Sequence, residues 1–335
     1  MDDPMRATEQ REMRATVAKF LDDNADIRTA MALDPGYDKD LWRRTVDELG
    51  LAALLVPERC GGLGMDFGDA AVVIEEFGRR LVPSPSLTTL VACAVLDQCG
   101  ADDLLARIGE DGLSVSIALA DREPTTVDQG RITGSKQHVI HGADVDVLLV
   151  VAGDDLYTVD TTSVVRRRRV ALDHTRALAE IDLTDVPATL IGPAAVVTDL
   201  LHVALAAESA AAAETCLADT VEYLKVRHQF GKPIGSFQAL KHRCADLAVL
   251  VAGARATAWY AVRAVGTDEL ASVAPLAKVV CTDALMAVAA ESVQLHGGIG
   301  FTFEHDAHLY LKRAKANQHL FGTNSLLRGK IGESL

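Results

Sequence analysis

The chain contains no run of about 18 consecutive apolar residues, the length a helix needs to cross a bilayer. Its start, with Asp2, Asp3 and mixed charge, lacks the basic stretch leading into an apolar segment that marks a secretory leader. The expectation is a cytoplasmic protein with no membrane partner. The six cysteines, Cys60, Cys93, Cys99, Cys216, Cys244 and Cys281, lie in apolar or helical surroundings without the paired spacing of zinc sites. They read as small buried side chains rather than disulfides or metal ligands. Internal repeats and low-complexity linkers are absent as well. An excess of positive charge is also missing, because 47 Asp and Glu outnumber 33 Lys and Arg for a net charge of -14. Such a surface repels polyanions, which excludes a general nucleic-acid binder.

What remains is a chain of 335 residues, 49% of them hydrophobic, enough to bury a substantial core and to divide into two or three domains. Residues 1–113 carry helical periodicity. Leu41, Trp42, Val46 and Leu49 share one face, Gly50 stands at a C-cap position, and further helices are expected over 69–81 and 87–98, interrupted by Pro83 and Pro85. Residues 114–192 change to short strands, including Leu113–Ile117, Arg131–Thr133 and Val145–Val151, separated by Gly and Asp turns. The apolar cluster Val147–Val151 reads as a strand buried on both faces. The run Arg166–Arg169 lies between strand-like Tyr157–Val159 and Val170–Leu172; it reads as a solvated run that blunts a sheet edge, with a local basic pocket as the alternative. Residues 193–335 return to long apolar helices, with small side chains over Val203–Ala213 that permit close helix packing, four or five helices in all. The fold class is therefore mostly α with a small central β domain.

Two segments carry the functional signal. The first is Tyr223-Leu-Lys-Val-Arg227-His-Gln229-Phe230-Gly231-Lys-Pro233-Ile-Gly-Ser-Phe237-Gln238, and the second is Gln294-Leu-His-Gly297-Gly298-Ile-Gly300-Phe301, followed by Phe321-Gly322-Thr323. A guanidinium such as Arg227 can hold a pyrophosphate through directed hydrogen bonds, Phe230 offers an aromatic face, and glycines let backbone approach a phosphate closely. Taken together, in this order and spacing, the segments resemble the C-terminal half of acyl-CoA dehydrogenases. Val56–Gly64 and Ile74–Arg79 resemble that family's N-terminal motifs, so the likeness runs nearly end to end.

The resemblance implies an N-terminal helical domain, a β-barrel-like middle domain and a C-terminal four-helix bundle. It implies FAD as cofactor, with Arg227, Gln229, Phe230, Gln238, Gln294, Gly297 and Gly298 reaching across a subunit interface to the ADP half of the neighbour's FAD. Thr323 matches a residue near the flavin phosphate. The family's catalytic glutamate is another matter. Its two usual positions correspond to Phe321, before Gly-Thr, and to about Leu201 and His202 on an earlier helix, and neither holds a carboxylate. The family's flavin-contacting Trp-Ile-Thr corresponds to His138-Val139-Ile140, and its Thr-Glu-rich loop has no counterpart in Ala118–Thr125.

Losses thus concentrate on contacts made within one subunit, and contacts offered to a neighbour survive. The expectation is a base-lacking subunit of a heteromeric, α2β2-type acyl-CoA dehydrogenase, similar to the paired subunits that actinobacteria use on steroid-derived CoA thioesters, with an electron-transfer flavoprotein as acceptor. Two alternatives are a homo-oligomeric flavoprotein with a relocated acid such as Glu304 or Asp306, and a flavin-free assembly scaffold. Glu304 and Asp306 also suit helix capping. Glu208 and Glu214, in an Ala-rich helix, suit ion pairing with a helix neighbour or service as a base of raised pKa. His296, His305, His308 and His319 occupy positions the family uses without metal, and no metal is expected.

Overall fold

The computed structural model describes residues 4–34 and 36–334. They form two compact units, one of Met1–Val73 with Val82–Leu201 and the other of Ile74–Leu81 with His202–Leu335.

The first unit opens with helices α1 (Pro4–Asn24), α2 (Ile27–Ala32) and α3 (Lys39–Leu49). Helix α3 shows why this stretch folds as it does. Asp38 accepts hydrogen bonds from the amides of Asp40 and Leu41 at 2.9 and 3.0 Å, and Gly50 ends the helix in the left-handed region at φ +65°. Leu41 and Trp42 are buried, and the Trp42 indole N–H donates to Gly112 O at 3.2 Å. Helices α4 (Phe67–Arg79), α5 (Ser86–Gln98) and α6 (Asp102–Asp111) follow, close to the expected spans. All six cysteines are free, with Cys93, Cys216 and Cys281 buried and the other three half-buried.

The strands are β1 (Val115–Ala118), β2 (Asp121–Asp128), β3 (Arg131–Ile140), β4 (Val147–Ala152), β5 (Asp155–Val159), β6 (Val165–Arg169) and β7 (Leu178–Pro193). The sheet order is β1-β4-β5-β7-β3-β2, with β6 also on β7; only β1 and β4 run parallel. The 16-residue β7 pairs with β3, β5 and β6 and curls the sheet into a half-barrel filled by Ile132, Val139, Leu148, Val150, Ile181 and Leu183. Strand β4 is buried at every position, as its apolar run predicts.

One local expectation needs correction, though the Arg166–Arg169 run does lie at a sheet edge, since β6 pairs with β7 alone among the described residues. The arginine run is itself a strand, and Val170 after it is fully exposed coil. Strand pairing wins because β7 presents acids beside the run. Arg167 pairs with Asp182, Arg169 with Glu180 at 3.2 Å and Arg168 with Asp144 at 2.7 Å, while Arg166 donates to Val145 O at 2.9 Å. Ala118–Thr125, where the family's Thr-Glu-rich loop has no counterpart, runs into β2, which begins at Asp121 and pairs along β3.

The second unit is built on α7 (Val197–Val226), α8 (Gln238–Ala264), α9 (Leu270–His296), α10 (Ala307–Asn317) and α11 (Asn324–Ser334). Two helical stretches, Val197–Val226 and Leu270–Phe301, are long and apolar enough to span a bilayer, but 83% and 61% of their most apolar windows are buried in the fold. Both read as core helices. The Ala-rich face of α7 is buried from Leu200 to Ala213.

Candidate functional site

Helix α7 ends at Val226, and the chain turns at once into a two-strand hairpin, β8 (His228–Gln229) with β9 (Lys232–Pro233). Arg227 is locked at the junction by its own backbone. Its N–H donates to Tyr223 O at 2.9 Å and its carbonyl accepts from Ile234 N at 2.8 Å. The two turn residues, Phe230 and Gly231, both take positive φ, +54° and +77°. That combination defines a type I′ hairpin turn, which normally carries Asn-Gly; a bulky side chain there costs roughly 1–2 kcal/mol. Phe230 accepts this strain and is 89% exposed, touching Phe237 edge-on at 6.0 Å. Gly235 is fixed by packing, because a Cβ there would lie 2.9 Å from Leu224 O.

The Arg227 guanidinium is exposed and makes no hydrogen bond or ion pair among the described residues. Gln229 and Gln238 are exposed beside it, Gln238 as the first residue of α8. Between the end of α7, the hairpin and the start of α8 lies a cavity of about 450 Å³. Its polar lining is Lys225, Ser236, Lys241 and Cys244, with no carboxylate to act as a base.

The second signature ends α9. Gly297 caps the helix at φ +65°, ψ -143°, a conformation open essentially to glycine alone, and the turn Gly297–Phe301 follows. A Cβ on Gly297 or Gly298 would meet nothing within 4 Å, so both backbones face open space, whereas Gly300 is required by packing against Val293 O at 2.8 Å. Gln294 is exposed, and Phe301 is 83% exposed. Tyr223 joins the two signatures: its ring stacks on His296 at 4.3 Å and its hydroxyl donates to His296 O at 3.3 Å. Arg227, Gln229, Phe230, Gln238, Gln294, Gly297 and Gly298 therefore converge on one end of the second unit.

Thr323 and Phe321 belong elsewhere. Phe321 O accepts from His202 Nε2 at 2.8 Å, at the other end of α7, and Thr323 Oγ1 accepts Leu326 N–H at 3.2 Å as the N-cap of α11. Phe321 and Gly322 both have positive φ, +56° and +103°. The ammonium of Lys278, wholly buried, holds this turn by donating to Gln318 O (3.1 Å), Gly322 O (2.7 Å) and Asn324 Oδ1 (2.7 Å). Burial pushes the Lys278 pKa down to about 8, which still leaves it charged at neutral pH. Burial likewise pushes His202 down to about 4, so it is neutral. Leu201 is fully buried.

No candidate acid is poised as a base here. Glu208 is buried and bound by Arg313 at 3.0 Å and Asn317 at 3.1 Å, partners on α10 rather than on its own helix. Glu214 opposes burial with two arginines, Arg79 and Arg255, each at 2.5 Å, which hold its carboxyl below the ordinary range. Glu304 is exposed, and Asp306 occupies the N-cap position of α10 without a side-chain cap bond. The cap comes from His305, whose Nδ1 accepts Ala307 N–H at 3.1 Å. In the first unit His138 sits exposed at a register shift between β3 and β7 with φ +56°, and Ile140 is buried in the core. Neither offers the hydroxyl or indole that the family places against a flavin ring.

The donor set at the Arg227 end fits the ADP portion of a flavin dinucleotide: a free cation, an exposed aromatic face, three amides and open backbone. Sequence reasoning missed Tyr223 and Lys278. The four-residue step from Tyr223 to Arg227 puts both on one helical face and could have flagged the first; nothing local signals the second.

The profile of the acyl-CoA dehydrogenase N-terminal domain matches residues 7–111, and that of the C-terminal domain matches residues 198–335. The chain is 39% identical to acyl-CoA dehydrogenase IpdE2 of Mycobacterium tuberculosis over 321 residues, covering 94% of each. Among solved structures it is similar to a variant of the Tcur3481-Tcur3483 steroid ACAD, with a TM-score of 0.91, 28% identity and coverage of 98% of this chain and 97% of that one. It is also similar to a chain of the ChsE4-ChsE5 complex from Mycobacterium tuberculosis, with a TM-score of 0.90, 25% identity and coverage of 97% and 96%.

Proposed function

The chain belongs to the acyl-CoA dehydrogenase family, and from that premise we propose that it is the base-lacking subunit of a heteromeric, FAD-dependent acyl-CoA dehydrogenase. Its partner is a second acyl-CoA dehydrogenase-like subunit in an α2β2 arrangement. The reaction is α,β-dehydrogenation of an acyl-CoA thioester, in which the α-proton passes to the partner's glutamate and the β-hydrogen leaves as hydride. When bound, FAD supplies the hydride acceptor. This chain contributes charge and shape at the ADP end: Arg227 neutralises pyrophosphate, Phe230 presents an aromatic face, and the Gly297–Gly298 backbone permits close approach. The steroid-linked relatives support a bulky, steroid-derived acyl group, and an electron-transfer flavoprotein is the proposed acceptor in the cytoplasm.

One observation carries this reading. The unpaired guanidinium of Arg227 stands on a strained, exposed hairpin, while the base position holds Phe321, its carbonyl tied to His202. Co-expression with the partner subunit followed by native mass spectrometry and flavin quantitation tests it. The expected result is a colourless chain alone and a yellow complex with about one FAD for every two chains. A FAD-loaded homo-oligomer active alone would instead favour a relocated acid, and a complex without flavin would favour a scaffold. Phe321→Glu should not confer activity on the isolated chain, because a base works only when the substrate and hydride acceptor are held in register.

A further inference from the structure

The two signatures meet where Tyr223 stacks on His296, against which His305 packs at a tilt. Tyr223 lies on His296 at 4.3 Å with an interplanar angle of 29°, and His296 lies on His305 at 4.3 Å and 48°. His296 Nδ1 faces Ser292 O at 2.8 Å, and a carbonyl can only accept, so Nδ1 carries a proton. Burial lowers the His296 pKa from its ordinary value. His305 Nδ1 accepts the Ala307 amide at 3.1 Å.

Tyr223 is the hub of this arrangement. It stands one helical turn before Arg227, whose amide donates to the Tyr223 carbonyl at 2.9 Å as it would to any residue there, and its side chain reaches the other segment: the ring stacks on His296 and the hydroxyl donates to the last carbonyl before Gly297 at 3.3 Å. We propose that Tyr223 is a positioning residue that ties the Arg227 hairpin and the Gly297–Gly298 turn into one unit, setting the separation of the guanidinium from the glycine amides. This rests on the cofactor role proposed above. It assigns Tyr223 no contact with the ligand; the residue acts through Arg227 and the turn.

The test combines hydrogen exchange on the full chain with flavin release from the complex. Tyr223→Leu should raise amide exchange in both 227–238 and 297–306 by about tenfold, the size of one lost anchoring contact, with the urea midpoint little changed. Tyr223→Phe keeps the stack and loses only the hydroxyl, so it should show a smaller rise confined to 297–306, and it guards against misfolding of the leucine variant. In the complex, Tyr223→Leu should speed FAD release, and adding it to Arg227→Ala should have little further effect, because both act on the same contact. Unchanged exchange in both segments overturns the proposal, as do fully additive effects on release. A wild-type complex without flavin would sink the proposed function alone, and exchange would still decide whether the two segments are coupled.

Discussion

Lys278 and Arg227 are cations of the same unit, each beside a turn with positive φ at a phenylalanine, and they differ in where their charge is used. Lys278 spends all three N–H bonds inside the fold, on Gln318, Gly322 and Asn324. Arg227 spends none of its side-chain bonds there. The contrast extends to their surroundings. Around Lys278 the groups it reaches are paired inside the fold, and Asn324 also donates to Thr282 Oγ1 at 2.9 Å. Around Arg227 the glutamines, glycine backbones and phenylalanines face outward. Internal pairing marks structure, and unpaired donors held on strained backbone are free to meet a group outside the chain, as proposed above.

Four perturbations test that distinction. Lys278→Met should have the largest effect, because it leaves Gly322 O and Asn324 Oδ1 unsatisfied at about 1–3 kcal/mol each, whereas Gln318 O keeps the Asn324 N–H; a loss of roughly 3 kcal/mol or more is expected in urea unfolding. Acid comes next. His202 is held neutral with a pKa of about 4 in the fold against about 6.5 unfolded. The unfolded chain therefore takes up the proton first, and the His202 contribution is present above about pH 6.5 and lost as pH falls toward 4, by on the order of 3 kcal/mol. His202→Gln should flatten this acid limb of the unfolding curve. Arg227→Ala should leave unfolding within about 0.5 kcal/mol while weakening FAD retention in the complex by roughly 1.5–3 kcal/mol, measured as flavin content on dilution. The smallest effect is expected for Phe230→Asn, which suits the turn better and should stabilise the isolated chain by up to about 1 kcal/mol. The same change should weaken assembly, read by native mass spectrometry. A Phe230→Asn chain that is less stable would show that the aromatic ring serves the fold rather than a partner.

Much of this was legible in the sequence where the determinants are local. The Phe230-Gly231 turn, the Gly50 cap, the apolar run of β4 and the long helices follow from residues next to one another. So does the exposure of Arg227, which the hairpin enforces. The arginine strand was not legible, because Asp144, Asp182 and Glu180 that stabilise it lie elsewhere in sequence. The cap of α10 also went to a less obvious residue, since His305 outcompeted its acidic neighbours only through a specific ring orientation. The Lys278 network joins α9 to a turn some forty residues later, a distance no periodicity spans.

Helix α7 also works as a ruler. His202, at one end, holds the main chain of the family's base position, and Tyr223 and Val226, at the other, lead into the Arg227 hairpin. At 1.5 Å per residue the stretch from His202 to Val226 measures about 36 Å, longer than an extended flavin dinucleotide. In the proposed complex no single cofactor touches both ends of the same copy. Only the Arg227 end of the rod then has to be intact, because that end would serve a neighbour's cofactor while the His202 end is silent.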